Sequence, residues 1–203
     1  MRSVHLTIDL DYFEFGEETM LDALMARVQE MNVPKFLIDT HEMVLELPVE
    51  CTTLVNIDQH DDITSRRDSR NLDHPEAMEG VWVDFVPGKK NKTYIWCHRE
   101  DWRVFCCDEE GARGLWDKGK RGGWRCVRHQ EGTDNIPWKH VTSVSVCWSP
   151  DYAYHQVLWY FHQQWQERLQ LQKCGTFVPK APRSCSSPDA YSYSAYGGVH
   201  DQA

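Results

Sequence analysis

No apolar run in the 203-residue chain approaches the ~20 residues that a membrane-spanning helix needs. A membrane is therefore not an expected partner. Positive charge is also scarce: 22 Lys and Arg stand against 31 Asp and Glu, a formal charge of -9. No basic stripe could follow a phosphate backbone, which argues against nucleic acid. The opening residues lack the apolar core of a secretory leader. The 8 cysteines are accordingly expected as reduced thiols of a cytoplasmic protein rather than as a disulfide scaffold. Internal repeats are missing as well. At 41% hydrophobic and 26% charged residues the chain reads as a single globular domain over residues 1–174. Residues 175–203 carry Pro, Ser, Tyr and Gly without periodicity and read as a flexible tail.

Hydrophobic patterning gives the elements. Residues 3–9 form a buried-strand pattern that ends in acids. Met20, Leu21, Leu24, Met25, Val28 and Met31 then recur at helical steps, which predicts a helix over about residues 17–31, closed by Pro34. Residues 36–38 and 52–57 are short strands, with a short helix at 42–47 stopped by Pro48. The aromatic and β-branched runs at 81–85, 93–97, 103–107 and 124–127 predict further strands, some of them antiparallel. Residues 141–148 add another strand. Tyr154, Val157, Leu158, Phe161 and Trp165 predict a core-facing helix running to about residue 172. Strands alternating with helices imply a mainly parallel α/β sheet, whose ligands bind beyond the carboxyl ends of the strands.

Acids and histidines gather at those ends. Asp9 and Asp11 follow the first strand, His41 the second, and Asp58-Gln59-His60-Asp61-Asp62 the third. Alternate side chains of an extended segment share a face, so Asp58, His60 and Asp62 can converge, as can Asp9 and Asp11. So many carboxylates repel one another unless a cation neutralises them. Four Asp and two His without a thiolate favour Mn²⁺ or a similarly hard ion. For any one cluster alone, a helix cap or a solvated turn is the plain alternative.

These motifs resemble those of the ureohydrolases, the arginase and agmatinase superfamily, in which a lone His, an Asp-x-His-x-Asp motif and an Asp-x-Asp motif bind two Mn²⁺ ions. The resemblance implies a three-layer α/β fold of arginase type with a smaller antiparallel portion. It also implies that one ion takes His41, Asp58, Asp62 and Asp9, and the other His60, Asp58, Asp9 and Asp11. A hydroxide between the ions would attack a guanidinium carbon. Asp11 would help orient it, and His74, a dozen residues beyond the motif, would protonate the leaving amine. The Asp-x-Asp motif opens this chain where the family carries it late, so the strand bearing it is rearranged in sequence. This short, rearranged pattern is similar to the peptide arginases, which convert arginine in ribosomally made precursor peptides to ornithine and urea. Asp151 and Glu42 are candidates for holding guanidinium, and Arg66 for contacting the rest of the substrate. Free arginine, agmatine or another small guanidino compound is the alternative substrate, and a non-catalytic peptide-binding module the alternative class.

Two other features have competing readings. Cys97, His98, Cys106, Cys107, Cys126 and His129 could supply a structural zinc site, although they form no pair of Cys-x-x-Cys knuckles and fit buried thiols better. The Trp-rich second half could be a binding surface or simply core.

Overall fold

The computed structural model describes residues 2–60, 62, 82–99 and 124–180. Its elements are β1 (Val4–Asp9), α1 (Glu18–Gln29), β2 (Lys35–Ile38), β3 (Thr53–Ile57), β4 (Thr93–His98), β5 (Cys126–Glu131), β6 (Val141–Cys147), α2 (His155–Gln164) and β7 (Gln172–Lys173). The strands form one seven-stranded sheet in the order β5-β4-β3-β1-β6-β2-β7. Every pairing among the described residues is parallel.

The expected antiparallel portion is not seen among the described residues. β5 runs parallel to β4, in register from Thr93 opposite Cys126 to His98 opposite Glu131. The connections at 58–92 and 99–125 are far longer than hairpin loops, and that length permits the crossover a parallel pair requires. The run at 81–85 is not a strand but a 3-10 turn, Trp82–Phe85. Trp82, Val83 and Val86 are buried together, a spacing of one and four residues that suits a helical turn rather than the alternation of a strand. Residues 103–107 lie outside the described residues.

Alternation along the central strands sends two chemistries to two faces. Val4, Leu6 and Ile8 of β1, with Val55, Ile57, Val144 and Val146, pack under α1 and α2 through Leu21, Met25, Val28, Leu158 and Phe161. On the opposite face Leu54, Tyr94, Trp96, Phe36 and Ile38 are covered by the 3-10 turns His41–Glu46 and Trp82–Phe85. The buried Trp82, Trp96, Trp124 and Trp148 thus belong to the core. The second face is also polar at its centre, because His5, Thr7, Asn56, Ser143 and Ser145 are all buried there.

The second helix ends at Gln164, earlier than its periodicity predicts, and Gln170 turns the chain at a φ of 53° into the two-residue β7 beside β2. The chain stays tied past residue 174: Asp39 accepts the backbone N–H groups of Thr176 and Phe177. At Gly175 a Cβ would collide with the Asp39 carboxylate, so glycine suits that close approach. Residues 181–203, most of the expected tail, lie outside the described residues. No helix among the described residues is long and apolar enough to cross a membrane.

Candidate metal centre

β1 leads through α1 to β2 on one side of the sheet, and β2 leads to β3 on the other side of β1. The carboxyl ends of β1 and β3 therefore flank a topological switch point, where open α/β sheets form their ligand crevice. Asp9 is the last residue of β1, Asp58 follows the last residue of β3, and His41 opens the 3-10 turn after β2.

The structure brings all six expected ligand residues to this place. His41 Nδ1 lies 3.1 Å from Asp9 Oδ2, 3.0 Å from Asp58 Oδ2 and 3.3 Å from Asp62 Oδ2. His60 Nδ1 lies 3.2 Å from Asp11 Oδ2 and 3.7 Å from Asp58 Oδ1. Candidate donor atoms gather into three groups: His41 with Asp58 and Asp62, Asp11 with Asp58 and His60, and Asp9 with His41 and Cys147. Asp58 belongs to two of them. His41 is buried, whereas the His60 side chain is 45% exposed, so the centre opens to solvent on the His60 side.

Local structure holds these side chains. The backbone N–H of Asp11 donates to Asp9 Oδ1 and that of His60 to Asp58 Oδ1, each bridging two residues in a tight turn. Asp62 sits at a φ of 51°, a left-handed conformation that Asp tolerates better than most residues, and accepts the Trp82 indole N–H. Ser149, at a φ of 43°, donates its hydroxyl to Asp9 Oδ2. Asn56 donates to Asp58 Oδ2, and the Trp96 indole N–H reaches the Asp58 carbonyl. Thr7 Oγ1 lies 3.1 Å from His41 Nε2, leaving Nδ1 aimed at the acids, and the Trp82 ring packs 5.2 Å from the imidazole.

Electrostatics shows what the cluster demands. Burial, the charge of Asp11 and that of Asp58 push Asp9 well above the usual carboxylate range, and burial with Asp58 does the same to Asp62. Asp11 is raised by burial and by Asp58. Burial alone would discharge His41, but Asp9, Asp58 and Asp62 outweigh it and hold the ring well above its ordinary value. Asp58 is the exception: burial opposes its charge, yet hydrogen bonds from His41 and His60 keep it far below normal.

The donor set fits a divalent cation. One ring nitrogen carries at most one proton, so His41 Nδ1 cannot satisfy three carboxylates at once. Among the described residues Asp11 Oδ1 is buried with no hydrogen-bond partner, and such an atom wants a cation or a donor. Outer contacts of the kind Thr7, Ser149, Asn56 and Trp82 make are those that orient metal ligands.

The other expected site residues are placed differently. Glu42, next to His41, accepts the Thr40 hydroxyl with Oε1, while its Oε2 is buried without a partner among the described residues. Asp151 is exposed in the turn after β6. His74 and Arg66 lie outside the described residues. Cys97, His98, Cys126 and His129 form no group of three metal donors among the described residues. His98 and His129 instead face each other across β4 and β5, with Nε2 and Nδ1 3.1 Å apart.

Sequence reasoning missed Thr7, Asn56, Ser149, Trp82 and Cys147. A signal for three of them was present: Thr7 and Asn56 stand two residues before Asp9 and Asp58, on the same strand faces, and Ser149 stands two after Cys147. No protein-family model matches the chain, and no curated protein or solved structure matches it.

Proposed function

We propose that the chain is a dinuclear manganese hydrolase of the ureohydrolase type, converting arginine side chains of a precursor peptide to ornithine with release of urea. The observation that carries this reading is Asp58, whose two carboxylate oxygens divide between two histidines: Oδ2 faces His41 and Oδ1 faces His60. A carboxylate so placed can serve two ions. One would be held by His41, Asp58, Asp62 and Asp9, the other by His60, Asp58, Asp9 and Asp11. The oxygen-rich set favours manganese. When bound, two such cations lower the pKa of water toward neutrality and so supply the nucleophile for attack on a guanidinium carbon.

The chain's own residues supply the rest. Asp11 keeps one oxygen buried and unpartnered among the described residues, and it would orient the attacking water and accept its proton. Glu42 is better placed than the exposed Asp151 to hold the guanidinium, because its buried Oε2 has no partner among the described residues and a planar cation would provide one. His74 is assigned protonation of the leaving amine, and Arg66 contact with the peptide. Water adds across the carbon–nitrogen bond, the side-chain nitrogen leaves as the ornithine amine, and the guanidinium carbon leaves as urea. Exposed Tyr152, its ring 6.2 Å from His60, lies on the open side of the centre and would meet a side chain arriving on a peptide.

The test is to incubate the Mn²⁺-loaded protein with free arginine and with arginine-containing peptides, measuring urea and peptide mass together. Urea accompanied by ornithine-bearing peptide, with free arginine untouched, is expected. Urea from free arginine alone moves the activity to a small guanidino substrate. No urea from either overturns the hydrolase reading and leaves a binding module.

A further inference from the structure

The expected ligand set contains no sulfur, yet one thiol stands among the donors. Cys147 ends β6 and lies directly opposite Asp9 in the parallel register of β1 and β6, and opposite Ile38 in that of β6 and β2. The thiol, a carboxylate oxygen of Asp9 and a ring nitrogen of His41 all lie within 4.8 Å of one another. All three residues are buried. The ends of the neighbouring strands β1 and β6 and the turn after β2 thus deliver oxygen, sulfur and nitrogen to one point.

We propose that Asp9, His41 and Cys147 form a second coordination mode of this centre, one that takes a thiophilic divalent cation such as Zn²⁺ or Cd²⁺. One carboxylate, one imidazole and one thiolate make three ligands, with a fourth position open, which suits the tetrahedral preference of such ions. Sulfur selects soft ions, while the oxygen-rich remainder of the cluster selects hard ones. Binding forms the metal–sulfur bond as the thiol proton leaves to solvent, since a coordinating thiol is deprotonated. Asp9 and His41 also belong to the manganese set proposed above, so a thiophilic ion and the manganese on that side exclude each other. The inference rests on that reading only for this competition.

The test uses the full chain freed of metal and titrated with Cd²⁺, following the ultraviolet thiolate-to-cadmium charge-transfer band. Loss of one equivalent of the band is expected in Cys147→Ser, and the same loss in Asp9→Asn and in His41→Gln. Cadmium NMR of the unaltered protein, expected to show a resonance of mixed sulfur, nitrogen and oxygen ligation, provides the readout if a variant fails to fold. An unchanged band in Cys147→Ser overturns the proposal, as does a band that survives in both Asp9→Asn and His41→Gln, or a cadmium spectrum with only all-sulfur or all-oxygen ligation. In the unaltered protein Cd²⁺ should also expel one equivalent of bound Mn²⁺, and in Cys147→Ser it should not. Cadmium bound through Cys147 with no urea from any guanidino substrate retains this coordination mode and removes the hydrolase reading. Urea release without a Cys147-dependent band does the reverse.

Discussion

Replacing Thr7 by valine removes one hydroxyl and almost no volume. Thr7 Oγ1 lies 3.1 Å from His41 Nε2, and both residues are buried, so no solvent reaches the ring nitrogen to replace the lost partner. A buried polar group left without a partner costs about 1–3 kcal/mol. Outer-shell partners of metal-binding histidines are worth about 10–100-fold in metal affinity. At 1.4 kcal/mol per factor of ten that is about 1.4–2.8 kcal/mol, so two independent scales agree. Metal-free Thr7→Val, titrated with Mn²⁺ while free Mn²⁺ is read by electron paramagnetic resonance, should therefore bind about 10–100-fold more weakly on the His41 side. Thr7→Ser, which keeps the hydroxyl, should stay close to the unaltered protein. Denaturant unfolding of both variants separates weakened binding from general loss of stability. Wild-type Mn²⁺ affinity in Thr7→Val, or an equal loss in Thr7→Ser, would refute the positioning of His41 through this contact.

Three further outcomes are expected. Asp58→Asn should abolish binding of both ions and all urea release, because Asp58 faces both histidines, and retention of one tight Mn²⁺ site would show that it serves only one group. Glu42→Gln should raise KM for a guanidino substrate about 10–100-fold with little change in kcat, the worth of a charge-assisted hydrogen bond at about 1.5–3 kcal/mol, while Asp151→Asn should leave both constants unaltered. His5 gives a pH dependence: burial, with the charges of His41 and Lys92, lowers it to about 3, and it bonds Ser143 and Ser145 as a neutral ring. The unfolded chain takes up its proton near the ordinary value of about 6.5, so stability from this group is complete above that pH and is lost as pH falls toward about 3, at up to about 1.4 kcal/mol per unit. His5→Gln should flatten that part of the urea-denaturation profile, and parallel profiles for the two proteins would exclude the mechanism.

Legibility in the sequence followed the physics of period and face. α1 was readable because its apolar residues keep helical spacing against a single face of the sheet, and β1, β3 and β6 because both of their faces are buried. Placement of Asp9 and Asp58 at strand ends follows from the same pattern, since unpaired acids do not continue a buried apolar strand. Strand direction did not, because a short strand such as Cys126–Glu131 looks alike in either orientation and only the length of the preceding connection distinguishes them. The turn at Trp82–Phe85 was hidden for a different reason. Its residues favour strands locally, but tertiary contacts, among them the Trp82 indole on Asp62, set its conformation. β7, with two residues, carries no periodicity at all. Cys147 lies inside the strand run at 141–148 with no signal of its own, and only the register opposite Asp9 reveals it as a neighbour of the centre.

The most direct test of the proposed dinuclear centre is anomalous diffraction at the manganese edge from crystals grown with Mn²⁺. Two peaks about 3.5–4 Å apart, as two-metal hydrolytic sites show, are expected between β1 and β3, with Asp58 reaching both, His41 one and His60 the other. A single peak, or manganese bound away from Asp58, would contradict it.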